Sequence, residues 1–173
     1  MPPKEDLMAI ARVSAAEVTA ADLMTREVLS VHEDLGVREL ADFLTENEIS
    51  GVPVLDSDGK PVGVVTVTDI TEMDRHEPHL TEDRSDPRFF VRSFDDQLDI
   101  EELKGFHLED EDRAVRDIMT PRILTVSTDT PAFEIAREMI SGRIHRLFVT
   151  NLSGQLVGVV SALDLLRLVA EKS

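Results

Sequence analysis

Two short motifs bring together residue types from which chemistry can be built. Thr66-x-x-Asp69 and Ser161-x-x-Asp164 each follow an apolar run and precede a stretch with helical patterning. A hydroxyl residue three positions before an acidic one is the spacing of a helix capping box, in which the two side chains satisfy first-turn amides. The same geometry suits a ligand site. Helix-start amides and the helix dipole favour an anion. A hydroxyl can contact phosphate or sugar, and a carboxylate can accept from a ribose diol, as the acidic residue of dinucleotide folds does. From spacing alone both readings stand.

A second cluster lies in GRIHRLFV, which starts at Gly142. Arg143, His145 and Arg146 stand just before a β-rich run. Arginine forks match phosphate oxygens, and histidine adds a titratable donor. Arg122, four residues before Val126, can point into the same mouth. The alternative is a solvated basic patch. Charge by segment favours the anion reading: residues 1–70 carry net −9, residues 71–112 carry −10, and residues 113–173 carry +2. An anion held by this chain belongs with the C-terminal segment.

The elements that must position these groups occur twice. A shift of 95 positions lays Asp22–Ile70 on Asp117–Leu165 without a gap, with 16 identities in 49 pairs. DLMTREVLSV meets DIMTPRILTV, and GKPVGVVTVTDI meets GQLVGVVSALDL. Each copy reads as strand, helix, strand, strand, helix. Val28–Val31 and Ile123–Val126 are short β-rich runs. Val37, Leu40, Ala41 and Leu44 share one helical face, answered by Ala132, Ile135, Ala136, Met139 and Ile140. Pro131 opens the second of these helices. Hairpins follow at Val52–Leu55 with Val62–Val65, and at Leu147–Thr150 with Val157–Val160. Gly59 and Gly154 close their turns in the left-handed region. The expected organisation is an N-terminal segment 1–17, repeat one 18–70, an acidic insert 71–112 and repeat two 113–173. Within the insert, DDQLDIEELKGF from Asp95 reads as a helix, so the insert is partly helical. HLEDED from His107 has carboxylates but no recognised metal-ligand spacing.

Composition narrows the classes. The 173 residues contain no cysteine, which excludes disulfides, Cys-ligated metals and thiol nucleophiles. No Trp and no Tyr leaves few platforms for stacking single-stranded nucleic acid. A net charge of −17 repels phosphate backbones and anionic membranes. No apolar run approaches the roughly 20 residues that cross a bilayer. Glu5 and Asp6 sit where a signal peptide is basic, and Arg12 interrupts Leu7–Val13. The chain therefore reads as cytoplasmic, without nucleic-acid or membrane partners. The five histidines show no HExxH spacing, and no Gly-rich loop cradles phosphate, so an enzyme is the weakest reading.

With D-[LI]-M-T near the start and G-V-V-[TS]-x-x-D at the end of both copies, the chain resembles a tandem pair of CBS domains, a Bateman module. The resemblance spans residues 18–70 and 113–170. It implies a mixed α/β (α+β) fold of two βαββα repeats packed through their sheets about a pseudo-twofold axis. It also implies a non-catalytic regulatory module with clefts for adenosyl ligands: AMP, ADP, ATP or S-adenosylmethionine. No obligatory cofactor or metal is implied. The alternative is a ligand-free dimerisation or protein-interaction module. By resemblance, Asp69 and Asp164 match the ribose-binding Asp, and Thr66 and Ser161 the adjacent hydroxyl. His145 and Arg146 match the phosphate-facing pair. The adenine wall maps onto the segments holding Val28, Val31, Ile49, Pro53, Ile123, Val126, Ile144 and Phe148. Two departures stand out: Phe148 replaces a frequent Pro, and Ser50-Gly51 stands where repeat two has His145-Arg146. Such pairs commonly form homodimers, for which the leucines and valine of LDLLRLVA from Leu163 offer a face. An unidentified protein target is also implied.

Overall fold

The structure is a computed structural model that describes residues 18–74 and 113–170, with backbone only at 73 and 74. The helix expected from Asp95 and the HLEDED stretch lie outside the described residues. Twelve elements follow in chain order. They are α1 (Ala20–Leu23), β1 (Val31–His32), α2 (Val37–Glu46), β2 (Gly51–Leu55), β3 (Pro61–Thr66), α3 (Val67–Asp74), α4 (Val115–Ile118), β4 (Thr125–Ser127), α5 (Ala132–Gly142), β5 (Arg146–Thr150), β6 (Leu156–Ser161) and α6 (Ala162–Ala170). Two three-stranded sheets form, β1-β2-β3 and β4-β5-β6. In each the first pair is parallel and the second is an antiparallel hairpin. The mixed α/β class and the βαββα order of each repeat are as the sequence indicates.

The hairpins form where apolar runs flank a turn. Gly59 and Gly154 take φ of 77° and 80°, the left-handed region where a Cβ is costly. The first strands differ from the expected Val28–Val31 and Ile123–Val126. Pairing of Val31 with Val54, and of Thr125 with Phe148, moves each towards the C-terminus. Parallel register is set by the partner strand rather than by local propensity.

Helix α2 buries Val37, Leu40 and Leu44, and α5 buries Ala132, Ile135 and Met139, following the i, i+3, i+4, i+7 stripe. Ile140, placed on that stripe by the sequence, is 79% exposed instead. Pro131 stands one position earlier than expected, as the N-cap residue of α5. Both helices end in a left-handed residue that is not glycine, Glu48 at φ 54° and Arg143 at φ 52°. Ile144 then donates to Met139 O at 2.9 Å, and Ile49 to Leu44 O at 3.1 Å, closing the last turn in the Schellman manner. Arg143 thus occupies a backbone position that reverses the chain into β5.

The compact units do not coincide with the repeats. Among the described residues, one unit joins 18–28 with 124–170, and the other joins 29–74 with 113–123. Helix α1 therefore packs with the sheet of repeat two. Ala20 and Ala21 donate to Thr130 O and Thr128 O, both at 2.9 Å, and Thr25 bridges Val159. Helix α4 packs with the sheet of repeat one. Val115 donates to Leu35 O at 2.8 Å, and Thr120 bridges Val64. Each is a four-residue helix, too short to persist without such docking. Both begin in a carboxylate cap: Thr19 N–H donates to Asp22 Oδ2 at 2.9 Å, and Ala114 N–H to Asp117 Oδ2 at 3.0 Å. The Thr19 amide, and then its hydroxyl, hold the Asp22 carboxyl below its ordinary pKa. In the second of these units a core gathers Val31, Leu40, Leu44, Val52, Val54, Val65, Ile70, Val115 and Ile118. Among the described residues no helix is long and apolar enough to cross a membrane.

Candidate functional site

In the unit built on repeat two, the candidate residues meet where the β5–β6 hairpin opens into α6. Arg146, the first residue of β5, pairs with Ser161, the last of β6. Directly paired residues on antiparallel strands project from the same face, so the Arg146 and Ser161 side chains are neighbours. Ala162 N–H donates to the His145 carbonyl at 2.8 Å, which ties His145 to the first residue of α6. His145 and Arg146 are exposed, whereas Ile144 and Phe148 beside them are buried. Phe148 pairs with Val159 and Thr125, one pleat below Arg146 on the same face.

The cap at this junction is fully formed. Ser161 donates to Asp164 Oδ2 from its amide at 2.8 Å and from Oγ at 2.6 Å, and Asp164 N–H returns a bond to Ser161 Oγ at 3.3 Å. The motif is therefore a capping box, as one of its two readings requires. That role occupies Oδ2. The other oxygen, Oδ1, accepts from Arg167 Nη1 at 3.2 Å. The carboxylate stands at the N-terminus of a nine-residue helix, bonded to the Arg167 guanidinium. Such an edge can hold an anion and a diol together.

The unit built on repeat one has the same frame with different groups. Gly51 pairs with Thr66, and Val67 N–H donates to Ser50 O at 2.9 Å. Thr66 donates to Asp69 Oδ2 from its amide and its hydroxyl, each at 2.8 Å. Here the box is closed in: Asp69 is 3% exposed, against 15% for the Asp164 side chain. Ser50 and Gly51 stand where repeat two has His145 and Arg146, so these two positions supply no imidazole or guanidinium.

The remaining candidates divide between the units. Val28, Val126, Arg143, Ile144 and Phe148 fall with repeat two, and Val31, Ile49, Pro53, Arg122 and Ile123 with repeat one. Arg122 is thus carried by a different unit from His145 and Arg146. A tight turn at Pro121, with Arg122 N–H on Thr120 O at 2.8 Å, directs the chain there. The Val31 side chain packs inside the apolar core, which leaves only its backbone to any ligand. Pro53 is buried, and Val28, Ile49, Ile123 and Val126 are half-buried. Arg167 was not singled out from the sequence. Its signal was an i, i+3 spacing from Asp164 on a predicted helix. Among the described residues no group of His, Asp or Glu is arranged to hold a metal ion.

A sequence profile of the CBS domain matches residues 20–75 and 115–171. An uncharacterised protein of Methanocaldococcus jannaschii is 31% identical over 152 residues, covering 84% of this chain and 88% of the relative. Three longer relatives at 22–27% identity are spanned over 42%, 24% and 36% of their lengths. The structure of CBSX2 in complex with AMP aligns with a TM-score of 0.59 at 24% identity, over 89% of this chain and 97% of that one. The CBS domain of the bacterial CNNM/CorC family Mg2+ transporter in complex with ATP aligns with a TM-score of 0.62 at 18% identity, over 97% and 98%. A doubled profile match and a doubled βαββα frame show one thing: the chain belongs to the CBS domain family.

Proposed function

We propose that this chain is a non-catalytic regulatory module that binds an adenosyl ligand, AMP, ADP, ATP or S-adenosylmethionine, with repeat two supplying the phosphate contacts. One observation carries the reading: Arg146 is the cross-strand neighbour of Ser161, so a guanidinium and a capped carboxylate share one sheet edge. In this reading His145 and Arg146 face phosphate, Asp164 accepts from the ribose diol, and the segment of Ile144 and Phe148, whose side chains are buried, offers its backbone to adenine. AMP and ATP complexes in solved structures of the same fold support the ligand class. Thr66 and Asp69 serve the repeat-one edge, where Ser50 and Gly51 bring neither His nor Arg. The module acts in the cytoplasm through a protein target.

Asp164→Asn tests the diol contact. The amide keeps one acceptor for the Ser161 cap. Affinity for AMP is expected to fall at least tenfold, about 1.4 kcal/mol, at little cost in stability. Lost stability with affinity intact would assign Asp164 to the cap alone.

The chain is also proposed to form a homodimer through α5 and α6. Leu163, Leu166, Val169, Phe133 and Ile140 are all exposed large apolar residues of those two helices. Their counterparts in repeat one, 95 positions earlier, are Thr68, Thr71, Asp74, Arg38 and Thr45, so the apolar face belongs to repeat two alone. It also lies in the one segment that is not anionic, where a second copy meets least repulsion. Light scattering at micromolar concentration should return twice the 19.3 kDa chain mass. A monomer mass would remove the dimer.

A further inference from the structure

We propose that Arg167 is a latch on the diol acceptor of repeat two, which an adenosyl ligand must displace, and which thereby favours phosphorylated ligands over uncharged nucleosides. The proposal rests on the ribose reading of Asp164. Asp164 Oδ2 is occupied by two bonds from Ser161, at 2.8 and 2.6 Å, so only Oδ1 has acceptor capacity to spare. Arg167 Nη1 takes that oxygen at 3.2 Å. The Asp164 side chain is recessed at 15% exposure, while the Arg167 side chain is 73% exposed. The guanidinium thus covers the open edge of a carboxylate that otherwise faces inward. Such a solvated pair is weak enough for a ligand to break.

Repeat one carries a different residue at the matching place. The residue three after Asp69 is Glu72, whose carboxylate cannot donate to another carboxylate. The two copies thus agree at the hydroxyls and aspartates of this motif and differ in charge sign three residues later. The consequence is selective. Adenosine must part the pair and leaves the guanidinium to water. A phosphorylated ligand gives the released guanidinium an anion to meet, alongside His145 and Arg146.

The test titrates the full chain and Arg167→Ala with adenosine and with AMP, at low and at raised salt. Arg167→Ala should bind adenosine about two- to fivefold more tightly than the wild type, the range an exposed ion pair spans. Its preference for AMP over adenosine should fall. Salt supplies the second reading, because adenosine carries no charge. Screening of the Arg167–Asp164 pair should strengthen adenosine binding to the wild type and leave Arg167→Ala unaffected. Unchanged or weaker adenosine binding by Arg167→Ala overturns the latch, as does an absent salt response in the wild type. Asp164→Asn separates the two levels. If it weakens adenosine binding while Arg167→Ala does not strengthen it, the ribose reading stands and the latch falls. If adenosine binds neither the wild type nor Arg167→Ala, both fall together.

Discussion

Arg146→Ala is expected to weaken AMP binding by roughly ten- to a hundredfold and to leave adenosine binding unchanged. A charge-assisted hydrogen bond to phosphate is worth about 1.5–3 kcal/mol, and each 1.4 kcal/mol is a factor of ten. Arg146 is exposed at the first residue of β5, so removing its side chain opens no cavity in the sheet. Its backbone pairing with Ser161 survives the substitution. The loss should therefore appear in ligand affinity and not in the melting temperature. Calorimetric titration of wild type and variant with both ligands reads the difference. Equal losses for AMP and adenosine would mean that Arg146 shapes the edge rather than holding the anion.

Gly63→Ala should destabilise the chain by about 3 kcal/mol, clearly more than the equivalent Gly158→Ala. A Cβ on Gly63 would lie 2.5 Å from the Thr120 carbonyl oxygen and 3.3 Å from Pro121 Cα. That backbone cannot retreat, because Thr120 and Val64 exchange bonds of 3.0 and 2.9 Å. The two glycines stand at the same place in the two repeats, yet the three atoms nearest a Cβ on Gly158 are Sδ, Cγ and Cβ of Met24, at 2.5, 2.8 and 2.9 Å. An unbranched methionine can swing its Cγ and Sδ to another rotamer, so the two shortest contacts relax while that to its Cβ stays. Urea unfolding midpoints of the two variants measure this. Equal losses would show that the Thr120 backbone yields as readily as the Met24 side chain.

What the sequence made legible was local. A hydroxyl three residues before an aspartate identified both caps, and a glycine at the end of DSDG and NLSG identified both left-handed turns. Register in a parallel pair is not local, which is why Val31 and Thr125 begin their strands later than their β-rich neighbours suggest. The exchange of α1 and α4 between repeats is also non-local. Nothing in DLMT or DIMT states which sheet it will bridge, and only the contacts of Thr25 with Val159 and Thr120 with Val64 reveal it. Arg143 shows a different limit. Its nearness to His145 suggests an anion contact, and its backbone also forms a left-handed helix terminus that spacing alone did not reveal. That the basic cluster lies beside the Ser161–Asp164 cap was not legible from spacing, because only the pairing of Arg146 with Ser161 across the hairpin brings the two together. Arg167, one helical turn beyond Asp164, completes that edge.

That this chain holds an adenosyl ligand is tested most directly by its thermal melt, alone and with AMP, ADP, ATP, S-adenosylmethionine or NAD. A ligand that binds only the native state adds about 2.7 kcal/mol at a hundredfold excess over its Kd, or roughly 5–10 °C for a chain of this size. The expected result is a rise of that order with AMP or ATP. No rise with any of the five at millimolar concentration would contradict it and leave a dimerisation or protein-interaction module in its place.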